Sequence, residues 1–126
     1  MIRLANLDHF GIEVSDLARA RRFYCDRLGL EFVRDLGEDG LLVGCGGRNF
    51  ALHLNRRLPP PSRASIDDPL GRAHHAFEVS GEDFRRALEG FAREGIPSHG
   101  PVDWGDHDCL YFLDPDGNLL ELVWHR

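Results

Sequence analysis

Two stretches of this chain read alike, and that repetition limits the available folds more than any other feature. His74-His75-Ala76-Phe77-Glu78-Val79-Ser80 lies over His9-Phe10-Gly11-Ile12-Glu13-Val14-Ser15 at an offset of 65 residues. In each copy apolar and polar residues alternate, as in a half-buried strand, so Leu4 to Val14 is expected to be extended. A helix pattern follows each copy. In the first, Ser15-Asp16 offers an N-cap, Leu17, Ala20, Phe23, Tyr24 and Leu28 share one face, and Gly29 closes the helix. In the second, Phe84, Ala87, Leu88 and Phe91 share one face and Gly95 closes it.

Three strands complete each copy. In the first they are expected near Glu31 to Asp35, Leu41 to Cys45 and Asn49 to Asn55, with a turn at Gly46-Gly47-Arg48. In the second a weak strand around Ser98 precedes a hairpin built on Asp114-Pro115-Asp116-Gly117, a composition that suits a type I turn with a left-handed glycine. Both copies therefore read β-α-β-β-β. The expected fold is α+β, with two such modules, about 4–55 and 72–126, forming a cupped mixed sheet around a central cleft. A module of that size is marginal alone, so one domain over 1–126 is expected. The segment 56–71, with Pro59-Pro60-Pro61 extended and stiff, reads as a connector.

Composition narrows the function. A net charge of -6 argues against nucleic acid or an anionic membrane as the partner. No apolar run reaches the roughly 18 residues needed to span a bilayer, and Met1-Ile2-Arg3-Leu4 runs into a strand pattern rather than a secretory leader. Cys25, Cys45 and Cys109 are odd in number and scattered, which points to reduced thiols and a cytoplasmic location.

The duplication gives the polar residues a geometry. His9 and His74 occupy the first strand of each module. Phe50-Ala51-Leu52-His53-Leu54 falls over Asn118-Leu119-Leu120-Glu121-Leu122 at an offset of 68, which sets His53 against Glu121. With the helices packed on one face, Phe10, Ile12, Val14, Phe77 and Val79 point toward them, and His9, His53, His74 and Glu121 point to the concave face. A carboxylate in the apolar strand Asn118 to Trp124 requires a cation or donor if buried. Three imidazoles and a carboxylate suit one divalent ion: Zn, Fe, Mn, Ni or Co. His74 and His75 are neighbours, and the repeat assigns the site to His74 and the helix side to His75.

The motifs L-D-H-F-G-I-E-V-S-D-L, R-R-F-Y, L-G-L, H-H-A-F-E-V and Y-F-L-D-P-D-G-N-L-L-E-L resemble the vicinal oxygen chelate superfamily over essentially the whole chain. That family holds glyoxalase I, extradiol dioxygenases, methylmalonyl-CoA epimerase, fosfomycin-resistance thiol transferases and metal-free bleomycin-resistance proteins. The resemblance implies His9, His74 and Glu121 as metal ligands, a small-molecule substrate whose oxygens chelate the metal, and a homodimer. His53 stands where glyoxalase I would carry a Glu, and could ligate, act as a base, or pack. The residues around His107 do not match the extradiol spacing. A fosfomycin-type enzyme would need basic residues near the cleft, for which Arg48, Arg56, Arg57 and Arg72 are candidates. Tyr111 could hydrogen-bond a substrate, Glu13 and Glu78 could orient the histidines, and Trp104 and His107 could rim the cleft. Isomerisation, thiol addition and O2-dependent ring cleavage remain open. The alternative is a metal-free protein that sequesters a drug or metabolite, and the intact His9, His74 and Glu121 argue for the enzyme.

Overall fold

The chain, described over residues 1–126 in a computed structural model, divides into two compact units, Met1–Pro59 and Pro60–Arg126. Each carries one repeat. Unit 1 holds β1 (Gly11–Val14), α1 (Leu17–Arg21) running into a π-helical turn (Arg22–Arg27), β2 (Glu31–Asp35), β3 (Gly40–Cys45) and β4 (Arg48–Leu54). Unit 2 holds α2 (Ala64–Asp67), β5 (His75–Glu78), α3 (Gly81–Glu94), β6 (Ser98–Asp103), β7 (His107–Leu113) and β8 (Leu119–His125). The sheet orders are β1-β4-β3-β2 and β5-β8-β7-β6, with the first pair parallel and the rest antiparallel in each. The two βαβββ modules expected from the repeat are therefore present.

Local chemistry sets the helix ends. Asp16 caps α1 by accepting from the Arg19 N–H at 2.9 Å, and Ser80 caps α3 by accepting from the Asp83 N–H at 3.1 Å. Gly95 ends α3 at φ 69, where a side chain would be strained. In unit 1, Ile12, Val14, Leu41, Val43, Phe50 and Leu52 are buried on the face toward Ala20 and Tyr24. In unit 2, Phe84 and Phe91 of α3 pack on a face that includes Phe112 and Trp124, with ring centroids 4.9 Å apart for Phe91 and Phe112. Burying such side chains contributes roughly 1.5–3 kcal/mol each.

Three expectations need correction. The first strand begins at Gly11 rather than Leu4, so His9 precedes it and His74 stands just before β5. The last ladder bond upstream runs from the Ala51 N–H to the Phe10 carbonyl at 3.0 Å, and the paired register with β4 starts at Gly11. Second, the segment 56–71 is not a bare connector, because from Pro60 onward it belongs to unit 2. Ser62 accepts from the Ala64 N–H at 3.2 Å, α2 forms, and Ile66 is 3% exposed against Cys109, Tyr111, Leu113 and Leu119.

The third correction concerns the repeat itself. Ala51 pairs with Gly11 and Leu42, while Glu121 pairs with Ala76 and Tyr111. Gly11 corresponds to Ala76 at the offset of 65, so the residue matching Glu121 is Ala51, at an offset of 70, and not His53. His53 pairs with Glu13 and matches Val123, which pairs with Glu78. The offset has already grown to 69 at β3 and β7, where Leu42 matches Tyr111, and the longer β7–β8 turn, Asp114 to Asn118 against Gly46 and Gly47, adds the last residue.

Candidate metal centre

The longer turn is held by one side chain. Asp114, buried, accepts from the backbone N–H groups of Asp116 and Asn118 and from the Asn118 side-chain amide. Gly117, at φ 82, donates its N–H to the Asp114 carbonyl at 3.0 Å. This fixes β8 against β7 in a register that places Glu121 opposite Tyr111. The face they share also carries Cys109, Leu113, Leu119 and Val123.

Glu121 is 6% exposed, so its carboxylate requires a partner. The partner is His74, whose Nε2 lies 2.7 Å from Glu121 Oε2. Ala76 pairs with Glu121 across the parallel ladder and His74 lies on its side of the strand, so the alternative register through His75 is excluded. The other ring nitrogen, Nδ1, lies 2.7 Å from the Arg72 carbonyl. A carbonyl only accepts, so Nδ1 carries the proton and Nε2 is left to face the carboxylate. Two acceptors at that separation need a positive charge between them: a proton on Nε2, or a metal ion that both ligate. A histidine whose far nitrogen donates to a carbonyl is the usual oriented metal ligand. The donor set therefore fits a borderline divalent ion.

Around this pair the charge is tightly constrained. Cys109 is hydrogen-bonded to Glu121 and to Trp104, and burial first, then the bond to Glu121, pushes its thiol up to about 12. Burial first, then the charges of Glu121 and Cys109, also raises the Tyr111 phenol. Both groups thus hold their protons at neutral pH and can act only as donors to a neighbouring anion. The Tyr111 ring stands edge-on to His74 at 5.7 Å between centroids.

In unit 1, His9 is exposed, with Nδ1 on the Asp8 carboxylate. The His53 ring lies over Gly11, where an added Cβ would meet its Cδ2 at 3.1 Å. Both imidazoles line an open cleft of about 1030 Å³ whose other walls include Arg34, Leu42, Arg48, Asn49 and Ala51. Within the chain no group of three or more His, Cys, Asp or Glu side chains is placed to hold a metal. The register removes the ground on which His53 was expected as a fourth ligand, because its counterpart in unit 2 is Val123.

Other expected roles move as well. The Arg72 carbonyl and the Asp8 carboxylate hold His74 and His9, while Glu13 accepts from the Asn55 amide and Glu78 is exposed. Arg56 is paired with Asp39 and Arg72 donates to the Asp68 carbonyl. Sequence reasoning missed Cys109 as a neighbour of Glu121. The signal was there, since Cys109 and Tyr111 share a face on an alternating strand.

Known proteins agree with this architecture. Residues 6–122 match the family described as the Glyoxalase/Bleomycin resistance protein/Dioxygenase superfamily. The glutathione transferase FosA of Serratia marcescens is 30% identical over 94% of this chain and 80% of its own length. A metallothiol transferase FosB of Staphylococcus epidermidis is 28% identical over 96% and 82%. Among solved structures, a glyoxalase/dioxygenase from Nostoc punctiforme superposes with a TM-score of 0.78 at 26% identity, covering 97% of this chain and 92% of that one. The resemblance read from the motifs is borne out, and the chain belongs to the glyoxalase/bleomycin resistance protein/dioxygenase superfamily.

Proposed function

We propose that this chain is a metal-dependent transferase that joins a small thiol to an electrophilic small molecule. The observation that carries the reading is the buried Glu121 facing His74 Nε2 across 2.7 Å, with Nδ1 committed to a carbonyl. The names of the relatives, glutathione transferase and metallothiol transferase, select thiol addition among the chemistries that such a site supports. The proposed ligands are His9, His74 and Glu121, one divalent ion per chain. Three protein ligands would leave positions on a bound ion for water and substrate.

A bound ion would supply Lewis acidity, stabilising negative charge that develops on a substrate oxygen. The chain's own residues do the rest. Glu121 would set a carboxylate against the ion's charge. Tyr111 keeps its phenolic proton and donates it as a hydrogen bond toward the same oxygen. Cys109 holds the carboxylate in place through its thiol. His53, against Gly11 in the open cleft, is the proposed acceptor of the thiol proton at its ring nitrogen.

The proposed assembly is a homodimer, the common state in this family, and the proposed location is the cytoplasm, supported by three free cysteines of which Cys45 is exposed. No helix is long and apolar enough to cross a membrane. Light scattering should give twice the 14.3 kDa chain mass. The function is tested by elemental analysis of protein purified without a chelating tag, followed by loss of free glutathione thiol in the presence of fosfomycin. About one divalent ion per chain and metal-dependent thiol consumption are expected. Metal-free protein that binds small chelators such as catechols or hydroxamates as well as metal-loaded protein does would point to a sequestering role instead.

A further inference from the structure

The last two strands of unit 2 set a pair of histidines side by side. His107 opens β7, His125 closes β8, and the ladder places them directly opposite one another. The Arg126 N–H donates to the Asp106 carbonyl at 3.0 Å, just outside the pair. His107 and His125 are therefore a non-hydrogen-bonded pair, the kind whose side chains approach most closely. Their ring centroids are 5.4 Å apart, with 39° between the planes. That spacing fits a shared ion. With a Zn–N bond of about 2.0–2.1 Å and about 1.2 Å more to each ring centre, two imidazoles on one tetrahedral ion stand about 5.3 Å apart.

The nitrogens are available for such a bond. Nδ1 of the half-buried His107 faces the Asp106 carboxylate, which only accepts, so Nδ1 carries the proton and Nε2 keeps its lone pair. His107 Nε2 and both ring nitrogens of the exposed His125 make no hydrogen bond within the chain. A carboxylate behind an imidazole orients it as a metal ligand. Charge favours a cation as well. Asp103 and Asp108 are cross-strand partners, and the Arg126 guanidinium binds both. Alternation puts Asp108 and Arg126 on the face opposite His107 and His125, so Arg126 is committed there and Asp106 is the charged group at the imidazoles. His125 lies four residues along β8 from Glu121, roughly 13 Å, too far for the two to hold one ion.

We propose that His107 and His125 form a further metal site, for one borderline divalent ion such as Zn2+ or Cu2+. No third His, Cys, Asp or Glu completes the set, so the protein supplies two imidazoles and water fills the remaining positions. Imidazole suits both ions. The site requires neither the proposed transferase activity nor an ion at His9, His74 and Glu121.

The test is titration of the metal-stripped full chain with Cu2+, followed by tryptophan fluorescence, and with Zn2+, followed by calorimetry. Trp104 stacks on His107 with centroids 6.5 Å apart, so Cu2+ bound at the pair should quench it. In His125→Ala and in His107→Phe the quenching step should weaken tenfold or more, and Zn2+ binding should fall by one ion per chain. His125 is exposed, so His125→Ala should melt like the parent, and His107→Phe keeps a ring against Trp104 while removing the nitrogens. Glu121→Ala should leave the quenching step unchanged, which separates this site from the other proposed ligand set. Equal Cu2+ affinity in the parent and in both histidine variants, a loss in only one of them, or a loss of the quench in Glu121→Ala overturns the proposal.

Discussion

The two units use the same strand order and put different chemistry on the same face. In unit 2 the face away from α3 carries a carboxylate, a thiol and a phenol, all buried, with Ile66 packed over the last two. In unit 1 the corresponding face carries Gly11, Leu42, Ala51 and His53 and is open as a cleft. The difference traces to the last strand of each. Glu121 and Ala51 hold matching ladder positions, and only the first gives its neighbours a reason to keep their protons. Duplication of a fold therefore does not duplicate a site. One copy holds a histidine–carboxylate pair, and the other keeps an open cleft.

The sharpest way to break that contrast is Glu121→Ala, which makes unit 2 like unit 1 at this position. Removing a charged ligand should weaken metal binding by more than the 10–100-fold typical of orienting residues. Metal content after dialysis against a weak chelator reads the effect, and full occupancy in the variant would refute the ligand assignment. Next in size is Ile66→Ala, which strips the cover from the unit 2 face. Loss of a fully buried isoleucine should destabilise the protein by about 2–5 kcal/mol, measured by urea unfolding. Ile66 packs on Cys109 and Tyr111 and offers no ligating atom, so metal content should hold.

His53→Ala tests the other side of the comparison. With Val123 as its counterpart, His53 is expected to change metal affinity by less than about 10-fold, below the effect of an orienting residue. Turnover should suffer more, with kcat falling and KM for the acceptor little changed. A loss of metal equal to that in Glu121→Ala would restore His53 to the ligand set.

The sequence made the architecture legible because β-α-β-β-β is written twice, with caps at Asp16 and Gly95 that need no tertiary context. It also singled out Glu121 and His74, since a charge in an alternating apolar strand must be answered. Register was harder. Matching His53 to Glu121 allowed a drift of three residues from the first strand, whereas the ladders show five, four of them gained before β7, where no turn motif reports the length. The place of Arg34 on the cleft wall was hidden for a related reason. An arginine on an edge strand looks solvated until the paired strands show which cleft it lines. Ile66 was obscured by its setting among prolines, where one apolar residue gives no periodicity.

The smallest expected effect concerns a pair of matched positions on the helix side. His75 corresponds to Phe10: His75 pairs with Leu120, and Phe10 stacks on Phe50 with centroids 4.7 Å apart. Burial first, then the neighbouring His74, lowers the His75 pKa below its usual 6.5. As the pH falls below that value, the unfolded chain therefore takes up a proton before the folded chain does. Stability from this residue is present above about 6.5 and is lost on acidification, as proton linkage requires. His75→Phe copies unit 1 at this point and removes the titrating group. The variant should lose less stability than the parent between pH 6.5 and 5, with metal content unchanged, as read from melting temperatures in metal-free buffer. A steeper acid decline in the variant would mean that His75 is protonated in the fold, and that the helix sides of the two units differ in charge as well as in shape.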